Sequence, residues 1–538
     1  MSPPPDALLL AVPLAPLTAM LAGIAGRRRA RLVAWWPVAG TALSVAALLW
    51  LGLAQPVAAL GLRLGGAWFD AGALRLTLGL RLDALSWTVA LLVAAVALAV
   101  NVFAAAFMRE QSERAGFHAA MSGFAAAMLT LVLADSLVLL FAAWEWVGAA
   151  SWLLIALRRE PAAPAAAAKA FVMTRCGDLA LLAGWLLLAL LAGSTALDAV
   201  LGLAARGAPV DRWLPLPLLL IAVGALTKSA QLPFSAWLPD AMVAQAPVSA
   251  LLHSATMVAA GAWLLLRLFP LYEAQPLVLA LIFAVGLSGA LLAALVACVQ
   301  RDLKRVLAWS TISHLGQTLA ALGAAVPFAA VFHLCTHAVF KSALFLAAGS
   351  VEHAAGSHRL DRLGELRRRL PLLAGLFAVS ALALAEVPPL AGFYSGESVF
   401  AAVLQNRTAF APLLPVLAFV SAFYIARAYY ATFERWPGAR GASSLEPPRA
   451  GELLPVLGLA VAAIVLGAWL AHSLPAVLGL SEPEPSDLGW RITRLAAVVA
   501  GICAAVFRVR AVGPAPARIG AAAAAAVVPV RGVERARG

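Results

Sequence analysis

Ionisable side chains interrupt several stretches of sequence that are otherwise apolar. Glu145 lies within "LLFAAWEWVGAASWLLI", Lys228 within "GALTKSAQLP" and His253 within "SALLHSATM". A charged group at the centre of a bilayer costs roughly 2.5–3.5 kcal/mol on insertion scales, so a charged residue in a membrane helix is expected to serve a function. These residues are therefore candidates for proton-transfer chemistry.

Further ionisable residues follow helical spacing. Arg175 and Asp178, at i and i+3, share one helix face and can pair. The sequence "LALAEVPPLAGFYSGESVF" contains two acids that flank a region rich in proline and glycine, Glu386 and Glu397. Three more residues are spaced i, i+4 and i+8, which places them on one stripe of a helix: His333, His337 and Lys341.

These residue types together predict a proton path. An imidazole accepts and donates protons near neutral pH, and a lysine desolvated beside a movable carboxylate can change between charged and neutral states. Residues four apart on a helix are separated by ~6 Å, so water must bridge them. The alternative interpretation is a set of structural ion pairs and hydrogen-bonded core histidines. His314, in "WSTISHLGQ", and Cys298 are interpreted as structural.

The composition places these residues in membrane helices. Of the 538 residues, 63% are hydrophobic and 12% are charged, whereas a soluble domain is about half apolar and a quarter charged. A bilayer core of ~30 Å needs ~20 apolar residues per helix, so the apolar runs predict an all-α polytopic membrane protein with about fifteen transmembrane helices. The predicted spans, 1 to 15 in order, are 7–25, 32–53, 82–108, 117–134, 136–157, 169–192, 214–238, 248–269, 277–298, 305–325, 327–350, 371–402, 411–433, 453–475 and 490–508.

Spans 7 and 12 are predicted to be broken helices. Proline removes a backbone donor and clashes with the preceding turn, so the freed carbonyl groups must be buried in protein or hydrated. Paired broken helices five spans apart predict two inverted five-helix repeats, at 117–269 (spans 4–8) and 277–433 (spans 9–13). Spans 1–3 form an N-terminal unit at 1–110, and spans 14 and 15 with a short basic tail form a C-terminal unit at 453–538. The interrupting residues are Pro233, Pro239, Pro247, Pro388, Pro389, Gly392 and Gly396.

The net charge of +13 is explained by basic connections on one membrane face. Odd-numbered connections hold most of the arginine and lysine, so the positive-inside rule places them in the cytoplasm, with the N-terminus outside and the C-terminus inside the cell's inner membrane. A nucleic-acid partner is not expected, because no soluble basic face is encoded. The first connection contains Arg27, Arg28, Arg29 and Arg31, and the thirteenth contains Arg435, Arg440 and Arg449.

Other sequence features argue against redox or nucleotide chemistry in this chain. Cys176, Cys298, Cys335 and Cys503 form no C-x-x-C motif, so no iron–sulfur cluster, other metal site or disulfide is expected. No G-x-G-x-x-G follows a strand, so no nucleotide-binding fold is expected. Alternating apolar and polar residues at 62–86 predict a short hairpin on the outer face.

The stretch "TKSAQLPFSAWLPDAMVAQAPVSALLHSATMVAAGAWLLLR" at 227–267 resembles the most characteristic segment of the antiporter-like subunits of respiratory complex I. That family also includes subunits of Mrp-type cation/proton antiporters. The resemblance extends from about Asp83 to Phe400. The segments "LVLADSLVLLFAAWEWVGAASWLLI", "KAFVMTRCGDLALL", "RDLKRVLAWSTISHLG" and "HAVFKSALFLAAGS" are more similar to the L subunit, the mitochondrial subunit 5 type, than to the M or N subunits.

The resemblance implies roles for individual residues. Glu145 and Lys228 match the charge pair of a first half-channel, and Asp178 matches a carboxylate near that pair. His253 matches the histidine that leads toward the centre. The central axis of the family is matched by His333, His337 and Lys341.

The sequence departs from the family at two places. A lysine follows "GFxS" in helix twelve of the family, whereas "AGFYSGESV" has Gly396 there and Glu397 next. Glu397 or Glu386 is therefore expected to replace the missing lysine. L subunits also carry a long lateral helix and a final span, whereas only residues 509–538 follow span 15. This favours a smaller or stand-alone complex, or a short L-type subunit of a variant complex.

Three functions remain open from the sequence. The first is a proton-translocating subunit of an NADH:quinone oxidoreductase-type pump, with NADH, flavin, iron–sulfur clusters and quinone on partner subunits. The second is a proton-coupled secondary transporter subunit, either an Mrp-like Na⁺/H⁺ antiporter or the membrane part of a bicarbonate-uptake system. The third is a scaffold with a vestigial path, suggested by Gly396. All three require the bilayer and other membrane subunits as partners.

Overall fold

The computed structural model describes residues 5–26, 33–72, 74–109, 114–207, 212–437 and 446–513. The arginines at 27, 28, 29, 31 and 440 and the basic tail lie outside these ranges. The long helices carry the labels α1 to α15 in chain order. They are α1 Pro5–Ala25, α2 Trp36–Ala54, α3 Ala84–Phe107, α4 Arg114–Leu133, α5 Leu137–Ala156, α6 Ala163–Ala192, α7 Pro215–Lys228, α8 Ala246–Arg267, α9 Pro276–Ala297, α10 Leu303–Gly323, α11 Pro327–Ala355, α12a Pro371–Leu384, α12b Ala391–Asn406, α13 Leu413–Phe433, α14 Ala450–Leu478 and α15 Leu488–Val512.

Within the described ranges, 12 helices are long and apolar enough to cross a membrane. The other three predicted spans correspond to α7, α10 and α12. Helices α7 and α12a are short because the chain breaks after Lys228 and Leu384. Helix α10 is full length but less apolar, and all of its residues except Arg305 are buried. It can carry polar side chains because other helices, rather than lipid, surround it.

The predicted breaks in spans 7 and 12 are present and have the same backbone geometry. In each, a residue with left-handed backbone, Ala230 (φ 51°) or Glu386 (φ 60°), follows the end of the helix. The next residue, Gln231 or Val387, donates its N–H to the carbonyl five residues earlier, at 2.8 and 3.0 Å. These contacts form a Schellman cap, which satisfies carbonyl groups that the break exposes. The inverted relation of the two repeats stays a prediction.

Helix α8 contains an interruption that no proline or glycine in its sequence predicts. Its first part is Ala246–Ser254 and its second part is Met257–Arg267. The hydroxyl of Thr256 donates to the carbonyl of Leu251 at 2.6 Å, which gives that carbonyl a partner outside the regular helical pattern. His253 therefore lies beside an irregular segment of backbone.

The predicted hairpin is present as two antiparallel strands, β1 Gly61–Ala71 and β2 Leu74–Asp83. Asp83 ends the hairpin and caps α3, because its carboxylate accepts the backbone N–H of Ser86 at 2.9 Å. Arg267, at the end of α8, also donates to Asp83 at 2.6 Å. The hairpin thus connects the first helices to the central ones.

Helices α8 and α11 form the centre of the protein. In the most apolar 18-residue stretch of α8 and of α11, every residue is buried. In the corresponding stretch only 28% of the residues of α15 are buried, and only 39% of those of α1 and α2. The outer helices therefore present their apolar faces outward, where lipid is the solvent. The ionisable residues of α8 and α11 are surrounded by protein.

Candidate functional site

Four ionisable groups from three helices form a continuous cluster at the break after α7. Arg175 of α6 pairs with Glu145 of α5, and its Nη2 lies 3.7 Å from Oδ2 of Asp178. Nζ of Lys228, the last residue of α7, lies 3.5 Å from Oδ1 of Asp178. The side chains of Glu145 and Arg175 are 24% and 31% exposed, whereas those of Asp178 and Lys228 are buried. The cluster extends from a partly exposed end to a buried lysine.

Trp144 positions the buried end of this cluster. Its indole N–H donates to Oδ1 of Asp178 at 2.5 Å, and its carbonyl accepts a hydrogen bond from Nζ of Lys228 at 3.0 Å. The ammonium also lies 4.6 Å from the centre of the Trp144 ring, within cation–π distance. Gly148 leaves space for it, because a Cβ there would lie 3.2 Å from Nζ. The lysine is therefore held by a carbonyl, a ring and a carboxylate.

The direct pair of Glu145 and Lys228 implied by the resemblance needs correction. The structure gives Lys228 its ion pair with Asp178, and Glu145 its ion pair with Arg175. The guanidinium of Arg175 contacts both carboxylates, because its fork carries several donors. The predicted contact of Arg175 and Asp178 on one face of α6 is present. Glu145 therefore connects to Lys228 through two intermediate side chains.

Lys341 occupies the middle of the protein, between α10 and α11. Its side chain is fully buried. Nζ donates to the carbonyl of Leu307 at 3.2 Å and to the hydroxyl of Ser310. Both partners are neutral and belong to α10. A proton on Lys341 is therefore held by neutral acceptors, unlike a proton on Lys228.

Three histidines continue from Lys341 toward α12b. The ring centre of His337 lies 5.9 Å from that of His314 on α10. Nδ1 of His314 lies 3.2 Å from Nε2 of His333, and Nδ1 of His333 lies 3.1 Å from the hydroxyl of Ser395. His314, interpreted from the sequence as structural, instead bridges two of the predicted histidines. The contact joins two helices, so neither local sequence reveals it.

His253 and His337 differ from this hydrogen-bonded pair. Among the described residues, no hydrogen-bond partner lies within reach of either ring nitrogen in His253 or His337. His253 packs against Phe345 in a tilted arrangement, with 4.7 Å between ring centres. Buried polar groups generally have partners, and a bridging water beside these rings stays a prediction.

Arg494 of α15 joins the two acids at the second break. Its Nη2 lies 2.5 Å from Oε2 of Glu386, and its Nη1 pairs with Glu397. All three side chains are largely buried. A Cβ on Gly396 would lie 2.6 Å from Oε2 of Glu386. Both acids therefore bind a cation from another helix, and the replacement of the family lysine by Glu386 or Glu397 stays a prediction.

Arg494 was missed by the sequence analysis. It lies in "GWRITRLAAVV" near the start of predicted span 15, together with Arg491. Arginines near the end of a span usually extend toward the interface, so this position gives no signal for a buried pair. The contact with α12 depends on how α15 packs, which the local sequence does not specify.

A second polar cluster connects the ends of α5, α10 and α11. Nζ of Lys304 lies 2.9 Å from Glu352, and Nη2 of Arg158 lies 3.1 Å from the same carboxylate. Nε2 of His358 lies 2.9 Å from Asp302 and its Nδ1 lies 3.6 Å from Glu352. The cluster borders a polar cavity of about 160 Å³. The hydrogen bond that His358 donates to Asp302, together with the nearby carboxylate of Glu352, raises the pKa of His358 to about 9.

The stability of the protein is expected to depend on His358 in a pH-dependent way. The pKa in the folded protein lies above the ordinary value of 6.5, so protonation of His358 stabilises the fold fully below about pH 6.5, and this stabilisation is lost as the pH rises through about 9. His358→Gln should lower the thermal midpoint of the detergent-solubilised protein by about 2 °C at pH 6. The difference should disappear at pH 10. His472→Gln, at an exposed position on α14, is the control, and an equal difference at both pH values would contradict the assignment.

The described residues offer no evident place for a resident metal. They contain no group of three or more His, Cys, Asp or Glu side chains that could hold an ion. All four cysteines are free thiols, and none is paired with another.

Comparison with known protein families identifies two matching regions. Residues 134–422 match the family described as "NADH:quinone oxidoreductase/Mrp antiporter, TM". Residues 68–118 match "NADH-Ubiquinone oxidoreductase (complex I), chain 5 N-terminus". The first match contains every predicted site residue.

Individual relatives agree with this result. The NADH-quinone oxidoreductase subunit L of Mycobacterium tuberculosis (strain ATCC 25618 / H37Rv) is 38% identical, over 96% of this chain and 85% of the relative. The subunit L of Escherichia coli (strain K12) is 36% identical, over 82% of this chain and 71% of the relative.

Two solved structures are similar to this one. A chain of the Mrp complex from Dietzia sp. DQ12-45-1b superposes with a TM-score of 0.80 at 33% identity, and the match covers 93% of this chain and 56% of that chain. A chain of respiratory complex I from Thermus thermophilus gives a TM-score of 0.75 at 22% identity, covering 92% and 99%. The second likeness shows the fold alone.

Proposed function

The chain belongs to the family of antiporter-like membrane subunits shared by NADH:quinone oxidoreductases and Mrp antiporters, and from that membership we propose that it is a proton-translocating subunit of a complex I-type redox-driven pump. The redox centres belong to partner subunits, and the substrate of this chain is the proton. We propose as its site residues Glu145, Asp178, Lys228, His253, His333, His337, Lys341, Glu386 and Glu397, and their contacts support including Arg175, His314 and Arg494.

The observation that carries this proposal is the buried column of titratable groups around α11. Lys341, His337, His314 and His333 are fully buried and follow one another from the centre of the protein to α12b. A structural role accounts for single buried ion pairs. It does not account for a column of buried side chains, three of them histidines, that can accept and release protons. A proton relay accounts for the residue types, their burial and their order.

In this mechanism a proton enters at the partly exposed Glu145 and reaches Lys228 through the Asp178 cluster. It then passes to Lys341 by way of His253 and internal water, because the interruption of α8 and the break after α7 leave backbone polar groups that water can solvate. The histidine column carries it onward to the second break. Reduction of quinone by partner subunits supplies the free energy for directional movement.

A second candidate function is a proton-coupled secondary transporter subunit with sodium as the coupled ion. The similarity to the Dietzia Mrp chain, at 33% identity and a TM-score of 0.80, favours this candidate. Bicarbonate coupling has no comparable observation in its favour. The third possibility, a scaffold with a vestigial path, is disfavoured because the carboxylate of Glu386 fills the space beside Gly396, next to the end of the histidine column.

The two candidates differ in the partners that they require. We expect the native complex, purified through a tag on this chain in mild detergent, to contain peripheral subunits with flavin and iron–sulfur absorbance. It should also reduce quinone with NADH. Co-purification with small membrane subunits alone, without redox absorbance, would contradict the redox-driven function and support the antiporter.

We further propose that the chain lies in the cell's inner membrane with its N-terminus outside and its C-terminus in the cytoplasm. The basic odd-numbered connections support this orientation. A cysteine-directed, membrane-impermeant label should therefore reach a cysteine added before Met1 in intact cells. It should reach one substituted for Arg367 only after the cells are opened. Reversed labelling of the two positions would contradict the orientation.

A further inference from the structure

The histidine column ends beside a site that differs chemically from the family pattern. His333 lies 3.1 Å from the hydroxyl of Ser395, and Ser395 precedes Gly396. The space where a side chain at 396 would begin is filled by the carboxylate of Glu386. The column therefore leads to a buried carboxylate at the position where the family has a lysine.

The cation at this site cannot itself carry the proton. Arg494 is a guanidinium, which stays protonated in proteins, whereas a lysine can release its proton. If protons pass this point, a carboxylate must accept and release them. The two candidates are the acids that Arg494 contacts, Glu386 and Glu397.

The contacts of the two acids distinguish them. Glu397 accepts from Arg494, from the hydroxyl of Ser486 at 2.5 Å and from the backbone N–H of Ser486 at 3.1 Å, and it lies 3.4 Å from Nε of Arg491. Glu397 is therefore held by donors from three residues. Glu386 has its ion pair with Arg494 alone among the described residues.

Arg494 is also fixed independently of Glu386. Its other nitrogen pairs with Glu397, and its guanidinium lies 5.1 Å from the centre of the Phe400 ring. It can therefore keep its place when Glu386 becomes neutral. This arrangement separates an anchoring acid, Glu397, from an exchanging acid, Glu386.

We propose that Arg494 is the positioning residue of the second half-channel and that Glu386 is the group that exchanges the proton there. A protonated His333 gives its proton, through the hydroxyl of Ser395 or a water molecule, to an oxygen of Glu386. The N–H bond breaks, an O–H bond forms, and the neutral acid releases its ion pair with Arg494. Loss of that proton to the exit side restores the pair. The inference rests on the proposed function of the chain.

The first test measures proton uptake and NADH oxidation in vesicles that hold the intact complex. Arg494→Met should reduce proton uptake by about tenfold or more, which corresponds to about 1.4 kcal/mol. Arg494→Lys keeps a cation beside Glu386 but loses the fork that contacts both acids, so its uptake should lie between the values of Arg494→Met and wild type. Wild-type uptake in Arg494→Met would overturn the proposal.

A second variant covers the case in which Arg494→Met fails to assemble. Removing one partner leaves a buried charge unpaired, whereas removing both is often tolerated. The double variant Arg494→Met/Glu386→Gln should therefore assemble but remain at least about tenfold slower in uptake. If the pair of Arg494 and Glu386 had only a structural role, proton uptake in the double variant would return to the wild-type rate together with assembly. Such recovery would overturn the proposal.

Two comparisons keep this inference separate from the function on which it rests. Arg510→Gln changes an arginine on the same helix that contacts Tyr430 at 2.5 Å, and it should leave uptake unchanged. Lys228→Ala reports on the first half-channel in the same vesicles. Loss of uptake in Lys228→Ala with wild-type uptake in Arg494→Met refutes this inference alone. Absence of uptake in the wild-type complex refutes the proposed function.

Discussion

Lys228→Ala is expected to lower proton uptake by the assembled complex by about a hundredfold or more, or about 2.7 kcal/mol of barrier. Lys228 is the buried end of the cluster that begins at Glu145. Within the part of the chain that the structure describes, no other amine contacts both Trp144 and Asp178. Proton uptake into vesicles that contain the complex is the measurement.

Assembly should survive this substitution. Asp178 keeps the indole N–H of Trp144 at 2.5 Å and the guanidinium of Arg175 at 3.7 Å, so its carboxylate is not left without donors. Lys169→Ala, which removes a partly exposed lysine that pairs with Asp240 at 2.6 Å, is the matched control and should retain uptake. Wild-type uptake in Lys228→Ala would remove Lys228 from the path.

The same cluster predicts that the effects of the Glu145 and Lys228 substitutions on proton uptake do not add. Glu145→Gln keeps the shape but loses the charge that holds Arg175, so it should impair uptake almost as much as Lys228→Ala. The double variant should be no slower than the slower single variant, because the groups act as one unit. Normal uptake in Glu145→Gln would leave Lys228 in the path but remove its connection to Glu145.

Lys341→Ala is expected to have an effect of similar size, about a hundredfold on proton uptake. Lys341 lies between the first cluster and the histidine column, and its neutral partners on α10 cannot carry a charge in its place. Ser342→Ala is the matched control, because within the described ranges its hydroxyl bonds to the carbonyl of Ala338 on its own helix, at 2.7 Å, and to no ionisable group. Uptake above a third of the wild-type rate in Lys341→Ala would contradict a single path through the centre.

The predictable part of the fold rests on local sequence patterns. Apolar run length identified the membrane helices, and prolines identified the breaks after Lys228 and Leu384, because both act through neighbouring backbone. The interruption of α8 was missed because Ser254 and Thr256 break a helix only weakly. No proline or glycine marks that position.

The candidate site was predictable where residues share a helix. His333, His337 and Lys341 were identified by spacing on α11, and the pair Arg175–Asp178 by spacing on α6. His314 and Arg494 were missed because their partners lie on other helices, and the intermediate position of Arg175 between Glu145 and Asp178 was missed for the same reason. Contacts between helices depend on packing angles and rotamers that local spacing does not encode.

The most direct test of the central claim is the number of protons translocated per NADH oxidised. It should be measured in vesicles holding the intact complex, in sodium-free buffer, for wild type and for the double variant Lys228→Ala/Lys341→Ala. If protons pass through this chain, the wild-type complex changes the pH of the vesicle lumen without sodium. The number of protons translocated per NADH then falls in the double variant, while its subunit composition is unchanged. An equal ratio in the two complexes would contradict the claim that this chain conducts protons.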